Sequence, residues 1–168
     1  MKHIPCPRCG GCRTQSLTGH AHRCCTCMRT FGFTDSQQAN AAADAVQELH
    51  FFLGGHNGPS FRLLLTASGH HEVESWDSRD CTPTPTFTHT PTRFKRLVRR
   101  LLRHYYVMDW NPEYHNEDIL DGTQWELSII LQNHQKRQYC GSNAYPPRFH
   151  QLLRLIAPYF LGQGIRFP

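Results

Sequence analysis

Long apolar runs are missing from the sequence, and their absence narrows the class of protein. No stretch approaches the ~18 consecutive apolar residues that a membrane span requires, and Met1–Cys6 lacks the apolar region of a secretory signal peptide. We therefore expect a cytoplasmic protein with no membrane partner. In that compartment cysteines stay reduced, and a cluster of them usually indicates a bound metal.

Motifs of the common catalytic and nucleotide-binding classes are also missing. The chain has no G-x-S-x-G, no phosphate-binding P-loop and no dinucleotide-binding G-x-G-x-x-G. Cys81 and Cys140 have no partner base that the sequence identifies, so a cysteine nucleophile is unsupported. These absences favour a binding protein over an enzyme.

Acidic residues are absent from residues 1–33, which therefore carry the whole net charge of +5. The remaining 13 Lys and Arg residues are balanced by 13 Asp and Glu residues in residues 34–168. Six of the eight cysteines lie in the same basic segment, whose cations are Lys2, Arg8, Arg13, Arg23 and Arg29. The composition predicts a metal module of residues 1–33, a connecting segment of residues 34–58 and a differently built body of residues 59–168.

Two Cys-x-x-Cys pairs predict a structural Zn²⁺ site in the first module. Cys6 pairs with Cys9 and Cys24 with Cys27, and the fourteen residues between the pairs suit a short hairpin that brings four sulfurs to one ion. An iron–sulfur cluster and redox thiols are the alternatives. Four protein ligands close the coordination sphere, which argues against catalysis by the metal. The spare donors are Cys12, Cys25, His20 and His22.

The segments Cys6–Gly10 and His22–Phe31 resemble the zinc ribbons that begin many bacterial insertion-sequence transposase subunits and DNA-binding regulators. Such ribbons have the form C-P-x-C-G followed by Y-R-C-x-x-C-G-R-T-F, and Met28 here replaces the glycine after the last cysteine. The resemblance covers about residues 4–33. It implies nucleic-acid contact, although ribbons of this kind also dock proteins.

The connecting segment has two parts. Residues 36–49 have apolar residues near helical spacing, which predicts a helix. Leu49–Leu53 either extends that helix or forms an edge strand, and Gly54–Pro59 is predicted to be a loop.

The body shows one pattern twice, a hairpin followed by a helix. The first unit, about residues 61–106, combines strands 61–66 and 72–76 with a helix opened by Pro91. The second, about residues 125–160, combines strands 125–131 and 136–140 with a helix opened by Pro146 and Pro147. We predict an α+β fold: a small zinc ribbon followed by a duplicated ββα body, with a largely antiparallel sheet and two covering helices. Chance agreement of two short amphipathic patterns is the alternative to duplication.

The second half of the body resembles small bacterial proteins of unknown function. The resemblance rests on D-G-x-x-W-x-L at Asp121–Leu127 and on G-S-N-A-Y-P at Gly141–Pro146, and it implies no activity. A looser likeness, through the Gly-Gly loop and the strands after it, is to small metalloprotease inhibitors of the emfourin type.

The predicted helix from Pro91 to about Tyr106 has an apolar stripe and an opposite basic face. This face predicts contacts with nucleic-acid phosphates, and a solvated surface is the alternative. In that alternative, acids between Asp109 and Glu126 fold back onto the helix. The candidate nucleic-acid residues are Arg93, Arg96, Arg100 and Arg103 of this helix, flanked by Lys95 and Arg99, together with Arg8, Arg13, Arg23 and Arg29 of the ribbon.

Three further features have a functional and a structural interpretation each. His115 with five nearby acids could form a metal or acid–base cluster, as in a hydrolase, or an acidic surface loop. Gly141–Tyr145 is either an anion-binding nest at a helix amino terminus or a capping turn, and His70–His71 is predicted to be an exposed hairpin tip. The five acids are Asp109, Glu113, Glu117, Asp118 and Asp121.

Together these patterns favour a zinc-stabilised, non-enzymatic binding protein that acts on DNA or RNA. A protein-interaction adaptor or inhibitor is the second hypothesis, and a metal-dependent hydrolase is the third. The sequence leaves the oligomeric state open.

Overall fold

Two sheets and three α-helices make up the part of the chain that the structure describes. This computed structural model describes residues 4–55, 58–77, 80–81, 86–119, 122–162 and 164–168. The helices are α1 (Ser36–Asp44), α2 (Pro91–His104) and α3 (Phe149–Leu161), and a short 3₁₀ helix spans Val107–Asp109. The mixed α+β class predicted from the sequence is confirmed.

The amino-terminal module is a three-stranded antiparallel sheet. Its strands are β1 (Thr14–Ser16), β2 (His22–Cys24) and β3 (Thr30–Phe31), in spatial order β1-β2-β3. Asp35 then caps α1 by accepting hydrogen bonds from the backbone N–H groups of Gln37 and Gln38.

The body contains one larger, mostly antiparallel sheet. Seven strands lie in the order β7-β6-β5-β4-β10-β11-β9, with β8 paired to β6, and only the β9–β11 pair is parallel among the described strands. Their bounds are β4 (Val46–Gly55), β5 (Ser60–Thr66), β6 (His70–Asp77), β7 (Asp80–Cys81), β8 (Thr86–Thr88), β9 (Glu113–His115), β10 (Thr123–Leu131) and β11 (Lys136–Ser142). Both predicted hairpins, β5–β6 and β10–β11, are confirmed.

The core lies between one face of this sheet and the helices. Alternate residues of the central strands are buried, as the two-residue period of a strand requires. They pack with the apolar stripes of α2 and α3 in a single cluster. The buried strand residues are Leu49, Phe51, Leu53, Phe61, Leu63, Leu65, Trp125, Leu127 and Ile129.

The start of α2 follows from its sequence. Thr90 accepts a hydrogen bond from the Arg93 N–H (3.3 Å), and Pro91 occupies the first turn, where its missing N–H costs nothing. The predicted apolar stripe is buried: Phe94, Leu97, Val98, Leu101 and Leu102.

Several predicted bounds are wrong. The helix predicted over residues 36–49 ends at Asp44, because β4 begins at Val46, and the loop predicted at Gly54–Pro59 begins after Gly55. The segment Leu49–Leu53 neither extends α1 nor lies at an edge, because β4 is paired on both sides, with β5 and β10. The last helix starts at Phe149 rather than at the Pro146–Pro147 pair, since Arg148 before it has left-handed backbone (φ 68°). The duplication of the ββα unit remains a hypothesis, as do the predicted domain boundaries.

None of the described helices is both long and apolar enough to cross a membrane.

Candidate metal centre and the basic helix face

Four cysteine sulfurs converge in the amino-terminal module. The Sγ atoms of Cys6 and Cys27 are 3.7 Å apart, those of Cys9 and Cys24 are 3.6 Å apart, and all four lie within 4.8 Å of one another. Sulfurs at the corners of a tetrahedron with Zn–S bonds of ~2.3 Å are separated by about 3.8 Å. The four cysteines therefore lie close enough to bind one metal ion.

Two tight turns aim these sulfurs. In the first, the Gly10 N–H donates to the Cys6 carbonyl (2.9 Å), and Gly10 itself has a positive φ of 70°. In the second, the Cys24 N–H donates to the Arg29 carbonyl (2.9 Å), and Met28 has a φ of 59°. Met28 thus adopts a left-handed conformation, which costs glycine less than it costs other residues.

The two turns create different surroundings for the sulfurs. The backbone N–H groups of Cys27 and Thr26 point at Cys24 Sγ (3.5 and 3.3 Å) and lower the pKa of Cys24 to about 6. Burial raises the pKa of Cys6 to about 12. Metal binding at this centre must therefore displace protons held with very different affinity.

The spare donors lie outside the four-sulfur cluster. Cys12 and Cys25 are exposed, and the Cys12 thiol donates to the Gly10 carbonyl (3.7 Å). His22 is buried against the rings of Phe31 and Tyr106, at centroid distances of 5.5 and 5.8 Å, and burial lowers its pKa. His22 is therefore a packing residue.

The ribbon docks on the segment that follows α2. The Tyr114 hydroxyl donates to the Pro7 carbonyl (2.9 Å), and the Asn111 amide donates to the Arg8 carbonyl (2.7 Å). The Gly32 N–H donates to Asp109 Oδ2 (2.9 Å). Both carbonyl acceptors belong to the turn between Cys6 and Cys9, so the body holds the metal-binding turn directly.

The described acids of the loop do not form the metal cluster that the hydrolase hypothesis requires. Asp109 is engaged with the ribbon, and Glu113 pairs with His115 at 3.4 Å. Glu117 and Asp118 are exposed, and Asp121 lies outside the described residues. Within residues 4–55, 58–77, 80–81, 86–119, 122–162 and 164–168, the four cysteines form the one group of metal donors.

Two other predicted features have structural roles. Gly141–Tyr145 ends before α3 begins at Phe149, so this segment is neither an anion nest at the amino terminus of that helix nor its cap. Asn143 does bond to backbone, as the capping-turn interpretation expects, by donating its amide to the Ile119 carbonyl (3.2 Å). Trp125 donates to the Ala144 carbonyl (2.9 Å), which joins the two sequence motifs of the second half. His71 is not an exposed tip but is buried, with 4% of its surface accessible. Residues 82–85, between β7 and β8, lie outside the described part of the chain.

The basic face of α2 borders a groove of about 360 Å³ on the surface. We call it the α2 groove; its lining residues are Thr92, Lys95, Arg96, Arg99, Arg100, Arg103 and His104. Asp44 of α1 contacts Lys95 (3.1 Å) and Arg99 (3.9 Å) and is the one acid in ion-pair distance of this face among the described residues. The described acids of residues 109–126 therefore make no ion pair with this face.

Other contacts fix the two ends of α2. The Arg93 guanidinium stacks over the Tyr159 ring at 4.3 Å, and Arg103 donates to Asn40 Oδ1 (2.9 Å). At the carboxyl end, Arg148 donates to the His104 carbonyl (2.7 Å). Burial lowers the pKa of His104, and the charges of Arg100 and His20 lower it further.

The ribbon arginines divide into two groups. Arg13, Arg23 and Arg29 are exposed, whereas Arg8 is half-buried and its charge opposes the burial-raised pKa of Asp109. The sequence analysis missed Arg148 and Arg154 as cations near α2. The sequence does carry a sign of them: residues 127–168 contain no Asp or Glu, so this segment, like residues 1–33, is basic.

Comparison with known proteins adds no family to this description, because no family model and no curated protein matches the chain. The function must therefore be argued from the metal centre and the basic face.

Proposed function

We propose that the chain is a zinc-stabilised, non-enzymatic protein that binds nucleic acid through phosphate contacts. The four-cysteine cluster supports a structural metal: sulfur donors alone, at tetrahedral spacing, suit Zn²⁺. Cys6, Cys9, Cys24 and Cys27 would hold the ion and leave no position for substrate. The metal's contribution is folding free energy for a small module with little core of its own.

The α2 groove carries the nucleic-acid part of the proposal. Five of its seven lining residues are Lys or Arg, and their one recorded acidic partner within the described chain is Asp44. Neither Arg96 nor Arg100 has an ion-pair partner among the residues that the structure describes. Such a cluster of like charges is costly by itself and is relieved by a polyanion, whose phosphates Arg contacts with planar, multiple donors.

Salt dependence of binding tests this function. We expect a labelled DNA of about 20 base pairs to bind at about 50 mM salt and to lose affinity steeply towards about 200 mM, because neutralised phosphates release counterions. Arg96→Ala and Arg100→Ala should each reduce the magnitude of the log–log salt slope by ~0.9. Fluorescence anisotropy titrations at several salt concentrations measure both quantities.

Arg137→Ala is the matched control for these variants. Arg137 is exposed on β11 and lies outside the α2 groove, so its loss changes the net charge equally. A slope that falls equally in all three variants means non-specific attraction by net charge. Absence of binding at low salt by the zinc-loaded protein removes the proposed function.

A second candidate function, protein docking, is favoured by the sheet face that the helices do not cover. Phe52 and Trp76 stack there at a centroid distance of 6.1 Å and are each half-buried, and Arg62 lies over the Trp76 ring at 5.2 Å. Half-exposed aromatic rings beside an arginine are typical of protein interfaces. A Trp76→Ala variant that loses a captured partner but retains DNA binding would separate the two functions.

A further inference from the structure

We infer that the nucleic acid is a duplex, held jointly by α2 and by Arg154 of α3. This inference rests on the proposed function and specifies its ligand. The duplex inference follows from a second groove, from contacts that hold the cation-bearing helices together and from the chemistry of the groove walls.

A second groove runs between the two helices. Its volume is about 330 Å³, and we call it the α2–α3 groove; its lining residues are Arg100, Tyr105, Gln151, Arg154, Leu155 and Pro158. Arg100 also lines the α2 groove, so it stands on the ridge between the two. Arg154 is exposed on the α3 wall, opposite that ridge. Cations therefore flank this groove on both sides.

Contacts between the helices that carry the cations fix how these helices lie relative to one another. The Tyr105 hydroxyl donates to the Gln151 carbonyl (3.5 Å), and Arg93 stacks on Tyr159, so α2 is joined to α3 near both ends. Arg103 joins α2 to α1 through Asn40. A preformed arrangement of charges suits a stiff ligand, since neither partner must lose much conformational freedom on binding.

The groove walls favour phosphate contacts over base stacking. Proteins that bind single strands combine cations with accessible aromatic rings on which bases stack. The residues lining the α2 groove are cations, His104 and Thr92, and Tyr105 in the α2–α3 groove is only 8% exposed. The two grooves therefore offer cations to a phosphate backbone and, apart from the exposed ring of His104, no accessible aromatic ring to unpaired bases.

The density of phosphates also favours a duplex. With 14 residues, α2 is about 21 Å long, and duplex DNA presents about 12 phosphates over that length against about six on one strand. Three nearby cations, Arg93, Arg103 and Arg148, already contact groups within the protein. The exposed Arg96, Arg100 and Arg154 remain available, and a duplex brings about twice as many phosphates past them as a single strand does.

Competition among defined nucleic acids tests the inference. The zinc-loaded full chain is titrated at low salt with a DNA duplex, an RNA duplex and a single strand that matches one strand of the DNA duplex, all labelled identically. We expect at least one duplex to bind about tenfold more tightly than the single strand, and Arg154→Ala to reduce the duplex salt slope by ~0.9. Arg137→Ala, which removes the same charge from β11, should leave the preference for duplex intact.

The outcomes separate the inference from the function on which it rests. Tighter or equal binding of the single strand overturns the duplex inference while nucleic-acid binding stands. An unchanged salt slope in Arg154→Ala, beside a reduced slope in Arg100→Ala, overturns the assignment of α3. If neither duplex nor single strand binds, the proposed function fails as well. Thermal unfolding of each variant confirms that an altered slope does not come from lost structure.

Discussion

The four sulfur ligands differ in how the chain surrounds them. Cys24 receives two backbone N–H groups that favour its thiolate, whereas Cys6 is buried in a small apolar cluster with Phe31 and Tyr106 that disfavours charge. In the absence of a cation, Cys6 would therefore keep its proton while Cys24 carries the negative charge of a thiolate. A divalent ion removes this conflict by neutralising the thiolates that it binds.

Single substitutions distinguish ligands from the spare cysteines. Cys24→Ser should lose its metal and unfold the ribbon, because a zinc site with three sulfurs binds much more weakly. Cys25→Ser, one residue away and exposed, should retain about one zinc per chain. Elemental analysis of both purified variants measures the difference. Equal zinc content in the two, or iron in place of zinc, would contradict the assignment.

Two buried histidines make the stability of the body sensitive to pH. Burial, with smaller contributions from His89, Arg93 and His70, lowers the pKa of His71 to about 4, and burial also lowers the pKa of His89. An unfolded histidine titrates near pH ~6.5. Between these values the unfolded chain binds protons that the folded chain does not, so the free energy of unfolding falls as the pH falls from ~6.5 towards 4.

His71→Gln isolates this contribution. A shift from 6.5 to about 4 corresponds to about 3 kcal/mol at most for His71, and the variant should lose that part of the pH dependence. Because acid also displaces the metal, the diagnostic quantity is the difference between wild type and variant in urea unfolding at pH 7.5 and 4.5. Parallel pH profiles would show that His71 is protonated in the folded protein.

Local sequence patterns predicted those features of helices and strands that depend on residues within one segment. The start of α2 follows from Thr90 and Pro91, and its buried stripe follows from helical spacing within one segment. The central position of β4 depends instead on pairing with β10, about seventy residues later in the chain, and no short pattern encodes that register. The start of α3 was missed because Arg148 adopts a left-handed conformation that favours glycine or asparagine.

The same contrast applies to the candidate site. Cys-x-x-Cys spacing identified the four sulfurs, since each pair lies within one turn. The contacts of Tyr114 and Asn111 with the ribbon join residues more than one hundred positions apart, and the sequence offers no sign of them. For the acids near them, the sequence left a metal or acid–base cluster and a surface loop both open, because it does not show how far apart the carboxylates lie.

In the described part of the chain, charge differs between layers and not only between segments. The outer helix layer carries the cations of α2 and α3. The uncovered sheet face carries Glu48, Glu72, Glu74 and Glu126, of which two pair with Arg62 and Lys136. Residues 34–168 contain equal numbers of acidic and basic residues, so a count from the sequence conceals this difference between layers. A phosphate backbone approaching the helix layer therefore meets positive potential, while the acids lie on the opposite face of the sheet.

The division between ribbon and body predicts that the body folds alone. The buried residues of its core cluster lie between Ala43 and Phe167, and Phe33 is the residue among residues 1–34 that packs against them. The ribbon has a separate small cluster to which the body contributes Tyr106. Removal of residues 1–34 should therefore leave a protein that unfolds cooperatively, with modest destabilisation from the lost hydrogen bonds at about 1 kcal/mol each. Thermal unfolding followed by circular dichroism measures this.

Removal of the ribbon also exposes the Tyr106 ring, and this must be separated from a failure to fold. Tyr106→Asn in the truncated chain replaces the ring with a polar side chain that tolerates the left-handed backbone at this position (φ 53°). If the truncated chain aggregates but its Tyr106→Asn variant is soluble and unfolds cooperatively, the body is an independent folding unit whose exposed docking surface promotes aggregation. If both lack a cooperative transition, the ribbon is part of the folding core, and the zinc centre stabilises the entire protein.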